Sequence, residues 1–298
     1  MAFQPAQNFE RNLRLALIGP PKSGKSYTAL TIAHALVGPG GKVAVIDTEN
    51  ASAAKYAELF PPFDVSELEK FNPDDYVKEI KEAERLGYDV LIIDSLTHAW
   101  NGPGGLLEYK DQVAKSGKPG MNGYTAWSEA SPKHTKLMHT ITHSKMHIIV
   151  TMRTKVEYVL EQNDKGKSTP VRMGLAPIQR DETEYEFDIM GVMDRMHTMS
   201  VEGSRCSALD NQIIPTPGAE VAEMLKAWLA GQPAPERMAT EDQLERIRKA
   251  HMVLKKGEPS VVALTYENAA RLIDELNEEY VKTRQTTVKP LELVPKVS

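Results

Sequence analysis

The sequence predicts an α/β fold: a central, mainly parallel sheet flanked by helices, followed by a small C-terminal helical hairpin. Three observations carry this. Short runs rich in Val, Ile and Leu recur at residues 13–18, 42–47, 88–95 and 147–151. They are apolar on both faces, as strands are when helices cover both sides of a parallel sheet. Helical runs separate them, and strand–helix alternation marks that architecture. Between the first strand and its helix stands Gly19-Pro20-Pro21-Lys22-Ser23-Gly24-Lys25-Ser26, which reads G-x-x-x-x-G-K-S, the P-loop pattern.

A strand enters this loop and a helical run over 27–36 leaves it. That arrangement aims backbone N–H groups and the positive end of a helix at phosphate. Gly19 and Gly24 admit close approach and backbone angles that a side chain blocks. Lys25 is placed to reach the β- and γ-phosphates and Ser26 to ligate Mg²⁺. The expected nucleotide cradle therefore runs from Gly19 through Pro20, Pro21, Lys22, Ser23, Gly24, Lys25 and Ser26 to Tyr27, with ATP and Mg²⁺ as its ligands.

The remaining elements follow in order. Residues 1–10 read as a flexible arm. Gly38-Pro39-Gly40-Gly41 ends the first helix. The second strand, 42–47, runs into Thr48-Glu49-Asn50, and a helical run over 51–60 stops at Pro61-Pro62. In residues 73–86, Tyr76, Val77, Ile80, Ala83 and Leu86 stand near helical spacing. Residues 101–123, rich in glycine and lysine, are expected to be an exposed loop, and 126–144 a helix. The polar stretch 153–182 is too long for an inert connection. Strands are expected at 185–193 and 196–201, with Met190, Met193, Met196 and Met199 alternating as core positions. A helix at 219–229 closes a domain expected over 11–230.

Gly231-Gln232-Pro233-Ala234-Pro235 marks a linker over 231–239. Thr240-Glu241-Asp242-Gln243 is a helix-start signal, and two helices are expected over 240–282. Residues 283–298 lack periodicity and read as a disordered tail.

Composition sets limits. A chain of 298 residues suits one large domain and an appendage. With a formal net charge of -5, any nucleic-acid site must be local. Cys206 is the only cysteine, which excludes an internal disulfide and fits a reducing cytosol. The opening residues lack a basic segment followed by an apolar one, and no apolar run approaches the ~20 residues that span a bilayer. A cytoplasmic protein with no membrane partner is expected.

Two carboxylates complete the candidate chemistry. Asp94 ends the apolar run Val90-Leu91-Ile92-Ile93, at the strand end where ligands bind in open α/β sheets. There it can hold the Mg²⁺ shell, as a Walker B aspartate does. Ser95 follows it where many P-loop ATPases place the water-activating glutamate, so the base must come from elsewhere. Glu49, also just past a strand, is the candidate. The alternative is an ordinary surface glutamate at a strand end.

These motifs resemble those of RecA-like ATPases. Ile46-Asp47-Thr48-Glu49-Asn50-Ala51 is similar to the segment carrying the catalytic glutamate of RecA-type recombinases. Val90-Leu91-Ile92-Ile93-Asp94-Ser95-Leu96 is similar to their Walker B strand. With the P-loop they cover residues 13–96 in matching order. Within that class the chain resembles phage ATPases that include the Sak-type single-strand annealing proteins, a likeness to which Tyr185-Glu186-Phe187-Asp188 adds.

The resemblance implies a RecA-like P-loop NTPase that hydrolyses ATP, binds single-stranded DNA and promotes annealing or recombination in a phage-infected cell. It also implies self-assembly as a ring or filament. Its γ-phosphate sensor falls at Thr151-Met152-Arg153, where a glutamine is common; here Thr151 or Arg153 stands in. Gly203-Ser204-Arg205 resembles the Lys-x-Arg element with which bacterial RadA proteins reach a neighbour's nucleotide, and only Arg205 carries over. Such an arginine stabilises transition-state charge; the alternative is a solvated arginine. Lys25, Glu49, Asp94 and Arg205 are thus the expected catalytic set.

RecA-like proteins bind DNA through loops at two positions. In residues 151–180, Arg153, Lys155, Lys165, Lys167, Arg172 and Arg180 outnumber Glu157, Glu161 and Asp164, and Tyr158 offers a stacking ring. Lys115 and Lys118 lie in the other loop, 110–123, beside Tyr124. Two solvated loops are the plainer alternative. The hairpin at 240–282 is expected either to dock a partner such as a single-strand-binding protein or to regulate assembly. His134, His139, His143 and His147 cluster without an H-E-x-x-H pattern or cysteines, and a histidine stripe is commoner than a zinc site.

Rival classes remain. One is an ATPase switch or assembly factor that acts on proteins without DNA. A small-molecule kinase fits Glu49 and the Asp94-Ser95 pair poorly, and no Asn-Lys-x-Asp guanine-reading motif is present.

Overall fold

The computed structural model describes residues 12–162 and 168–287 except 234, 236–238, 240, 258, 262 and 263. The expected arm at 1–10, Lys165, Lys167 and residues 288–298 lie outside the described residues. By contacts the chain divides into Met1–Ala234 and Pro235–Ser298.

The first unit carries, in order, β1 (Arg14–Gly19), α1 (Lys25–Val37), β2 (Val43–Asp47), β3 (Asp64–Glu67), α2 (Pro73–Leu86), β4 (Val90–Asp94), α3 (Thr97–Asn101), α4 (Leu106–Ala114), α5 (Trp127–Thr142), β5 (His147–Gln162), β6 (Ser168–Pro177), β7 (Ile189–Met193), β8 (Thr198–Ser204), β9 (Ile213–Pro215) and α6 (Ala219–Leu229). The sheet order is β3-β2-β4-β5-β1-β7-β8-β9, with β6 paired to β5. Neighbours from β3 to β7 run parallel; β8 and β9 are antiparallel. This is the α/β P-loop NTPase architecture that the motifs predict.

Burial explains the strand composition. Every residue of β1, β2 and β4 is buried, so alternation gives way to continuous apolar runs. Leu13, Leu15 and Leu17 face the side covered by α1 and α6; Ala16 and Ile18 face the side covered by α2 and α5. The boundaries of α2 are written in its sequence. Asn72 accepts from Asp74 N at 3.0 Å, Pro73 takes the first position, and Gly87 ends the helix at φ +71°.

Several expectations are corrected. The helix expected over 51–60 shrinks to a short 3₁₀ turn at Ala53–Tyr56: Asn50 and Ala51 take positive φ, and Asp47 accepts from Glu49 N and Ala53 N, each at 2.7 Å. These bonds fold the segment into a turn, and the edge strand β3 follows. The expected loop 101–123 contains α4, whose Leu106 and Val113 are buried; the glycines lie outside the helix. The polar stretch 153–182 is largely a two-stranded ribbon of β5 and β6, whose charged residues hid its strand character. A short 3₁₀ turn at Thr183–Glu186 precedes β7. Met193 and Met199 are buried, but Met196 lies 79% exposed on the turn between β7 and β8.

In the second unit, α7 (Glu241–Val253) and α8 (Tyr266–Thr287) bury Ile247, Ala269, Ile273 and Leu276. Helix α8 runs past 283 because its Glu, Lys, Arg and Gln residues favour helix even where the apolar stripe ends.

One charge lies inside the sheet. Arg14, 5% exposed, donates to Leu13 O and Met146 O at 2.8 Å and to Ser144 O. Burial brings its pKa down to about 10, against the pull of Asp188 and Glu84. It ties the start of β1 to the turn between α5 and β5. Arg14→Ala removes these donors from buried carbonyls and should destabilise the fold by about 3 kcal/mol, seen as a lower urea midpoint at unchanged slope. A loss below about 1 kcal/mol would show that the charge is incidental.

Candidate active site

Parallel strands end on one edge, and there the candidate residues gather. Gly24 starts α1 in the left-handed region at φ +88°. Lys25 folds back over the loop, its Nζ donating to Gly19 O at 3.0 Å and Pro20 O at 2.9 Å. Burial lowers the Lys25 pKa, opposed by Asp94 and Glu49. Tyr27 is half exposed and meets Tyr56 and Phe60 edge-on; Pro21 and Lys22 are exposed and Ser23 is buried.

Asp94 connects this loop to the sheet. Its carboxylate accepts from Ser26 Oγ and from Thr151 Oγ1, each at 2.5 Å. Burial raises its pKa despite these two bonds, with Glu49 and Asp47 adding to the rise. Among the described residues its hydrogen-bond donors are neutral hydroxyls, so the carboxylate keeps its capacity for a cation. Ser26 and Asp94 present oxygen donors only, the set that suits Mg²⁺. The Asp94–Ser95 peptide is cis.

Glu49 stands on the same edge. Arg153 grips it with two bonds, Nε to Oε1 at 2.9 Å and Nη2 to Oε2. Ser95 Oγ donates to it at 3.2 Å and His98 Nε2 lies 3.9 Å away. Burial would raise the Glu49 pKa, but the Arg153 hydrogen bonds and charge, with His98 and Ser95, bring it below the ordinary value. The segment is fixed from behind: Thr48 Oγ1 pairs with His98 Nδ1 and accepts from Ser95 N, both at 2.8 Å. His98 also stacks on Phe71.

The expected residues divide accordingly. Lys25, Ser26, Glu49 and Asp94 come together. Arg153, expected both as a stand-in for the γ-phosphate sensor and on the DNA surface, lies in this cleft, because β5 lies between β1 and β4 and delivers it beside Gly19. Arg205 is not brought to the loop. It lies at the opposite end of the sheet, paired with Asp188 at 2.9 Å, where Asp188 also caps Arg14 N. Lys115 and Lys155 are exposed; Lys118 pairs with Glu129 at 2.7 Å. The side chain of Arg172, like Lys165 and Lys167, lies outside what is described.

His139 and His143 stack on each other at 3.9 Å, while His147 Nδ1 accepts from Leu13 N at 2.9 Å. Among the described residues no group of His, Cys, Asp or Glu is gathered to hold a metal. Sequence reading missed Thr48, Ser95 and His98, although the polar residues straight after two apolar strands were a signal.

A second, open groove of about 1700 Å³ runs along α5. Trp100, Tyr124, Trp127, Lys136 and Arg180 line it. Trp100 and Trp127 stack at 5.9 Å, and Arg180 and Lys110 lie 5.9 and 5.7 Å from the Trp127 ring centre. Burial, with Arg180, takes the neighbouring His134 down to about 4. Among the described residues no helix is long and apolar enough to cross a membrane.

No curated protein matches the chain significantly. Among solved structures, the KaiC-like protein PH0186 of Pyrococcus horikoshii OT3 is similar over 68% of this chain and 86% of its own, at 12% identity and a TM-score of 0.38, too distant to bear on function. The AAA domain profile matches residues 11–214, and that span holds the P-loop, Glu49 and Asp94. With more than half of its length so matched, the chain belongs to the AAA domain family of P-loop ATPases.

Proposed function

We propose that this chain is a Mg²⁺-dependent ATPase of phage-type recombination that grips single-stranded DNA and promotes annealing. The observation that carries the ATPase reading is the convergence of Lys25, Ser26, Asp94 and Glu49 on one sheet edge. Loop N–H groups and Lys25 bind the β- and γ-phosphates. Mg²⁺ held by Ser26 and Asp94 would neutralise phosphate charge. Glu49, kept ionised by Arg153, takes the proton of the attacking water. To do so one of its oxygens must leave the Arg153 fork; the γ-phosphate, negative and close by, competes for that guanidinium. Arg205, paired with Asp188 away from the phosphate loop, could act on a nucleotide only if copies assembled as a ring or filament.

Single-stranded DNA is favoured by the aromatic rings and hydroxyls of the groove along α5, the chemistry that stacks bases, although its cations Lys81, Lys136 and Arg180 are matched there by Glu84, Asp181 and Glu182. Its helix α3 also carries His98, next to Glu49, so DNA there would be felt at the base. The second reading, a switch acting on proteins alone, is favoured by the net charge of -5 and by the pairing of Lys118 with Glu129.

Three measurements test these readings. ATP hydrolysis should rise on adding an oligothymidylate; no stimulation, and no ATP-dependent retention of the oligonucleotide at low salt, would reject the DNA reading. Charge reversal at Lys165, Lys167 and Arg172 should weaken oligonucleotide binding by at least about tenfold while sparing ATP binding. No change would favour the protein-partner switch. Arg153→Gln should raise the Glu49 pKa, read by carboxyl NMR titration; an unmoved titration would show that the fork does not hold Glu49 ionised.

A further inference from the structure

The catalytic candidates occupy one flank of the P-loop. Glu49, Asp94, Thr151 and Arg153 come from β2, β4 and β5, all on the same side of β1. The other flank belongs to β7 and the turn 194–197 that leads into β8. This turn closes on the loop: a Cβ at Gly24 would lie 2.8 Å from His197 Nδ1, and one at Gly19 would lie 2.5 Å from Met193 O.

The turn is held in place. Asp194 Oδ1 accepts from Met196 N at 2.8 Å and Thr198 N at 2.9 Å. His197 N donates to Asp194 O at 3.2 Å, and Thr216 N to His197 O at 3.0 Å. His197 takes φ +63° and Thr216 φ +44°. Left-handed backbone at non-glycine residues costs free energy and persists where its surroundings enforce it. Met196, at the tip, is exposed and adds nothing to the core.

We propose that this turn recognises the nucleoside half of ATP, with His197 at the ribose and α-phosphate and Met196 as an apolar face for the purine. The inference rests on the ATP reading above. A nucleoside triphosphate is a linear ligand. With its γ-phosphate facing Glu49 and its β-phosphate over the loop, the α-phosphate and nucleoside must leave toward the opposite flank, where His197 adjoins Gly24. A thioether suits this place because it is polarisable and packs against aromatic rings. Imidazole can donate a hydrogen bond to ribose or phosphate oxygen.

The test is to titrate Mg²⁺–ATP and inorganic tripolyphosphate into the full chain and its His197→Ala and Met196→Ser variants by calorimetry. Each variant should bind ATP about tenfold more weakly, while tripolyphosphate affinity stays within about twofold. Unchanged ATP affinity in both, or equal losses for both ligands, would overturn the inference. A wild-type chain that binds tripolyphosphate but gains nothing from the nucleoside would also overturn it. One that binds neither ligand would instead remove the ATP reading itself.

Discussion

The carboxylate of Asp94 is shared between two hydroxyls, one from the loop that starts α1 and one from β5. It therefore joins the phosphate loop to the two strands that carry the rest of the candidate chemistry. The bond geometry depends on order in the sheet: β5 lies between β1 and β4, so Thr151 faces Asp94 from one side while Ser26 approaches across the edge. Burial raises the cost of leaving the carboxylate charged, and a cation at Ser26 and Asp94 would offset that cost. The arrangement is thus poised for a divalent ion without a cage of protein ligands, which is how Mg²⁺ sites beside phosphates are usually built.

Around this centre the site is rigid where it must position and ion-paired where it must respond. Asp47 folds the chain after β2 so that Glu49 points back over the edge. Thr48, Ser95 and His98 lock that segment to β4 and α3. Arg153 meets Glu49 in a two-pronged grip whose side chains remain partly exposed, so the pair can be broken by a competing anion at modest cost. Because Arg153 N donates to Thr97 Oγ1 at 2.9 Å, movement of α3 reaches both Arg153 and His98. Trp100 lies on the same helix and faces the α5 groove, giving a short physical route between the two sites.

Much of this was legible in the residues. The P-loop, the double-sided strands ending at Asp47 and Asp94, and α6 are local patterns that the fold merely places. What escaped reading depended on partners far along the chain. Arg153 was legible as a sensor or a DNA-contacting cation but not as the partner of Glu49, because nothing local announces that pairing across 104 residues. The charged ribbon of β5 and β6 looked like a loop because only part of it joins the covered sheet. The turn at 194–197 passed unnoticed since its contact with Gly24 is created by the pairing of β7 with β1. Met196 was misread because a period of two was carried through a turn that interrupts it.

In the proposed reaction Glu49 activates the attacking water. Single-turnover ATP hydrolysis by Glu49→Gln, measured beside its ATP affinity, tests this most directly. Retained affinity with hydrolysis slowed about 10²–10⁴-fold is the expected result; hydrolysis at the wild-type rate would place the base elsewhere and contradict the claim.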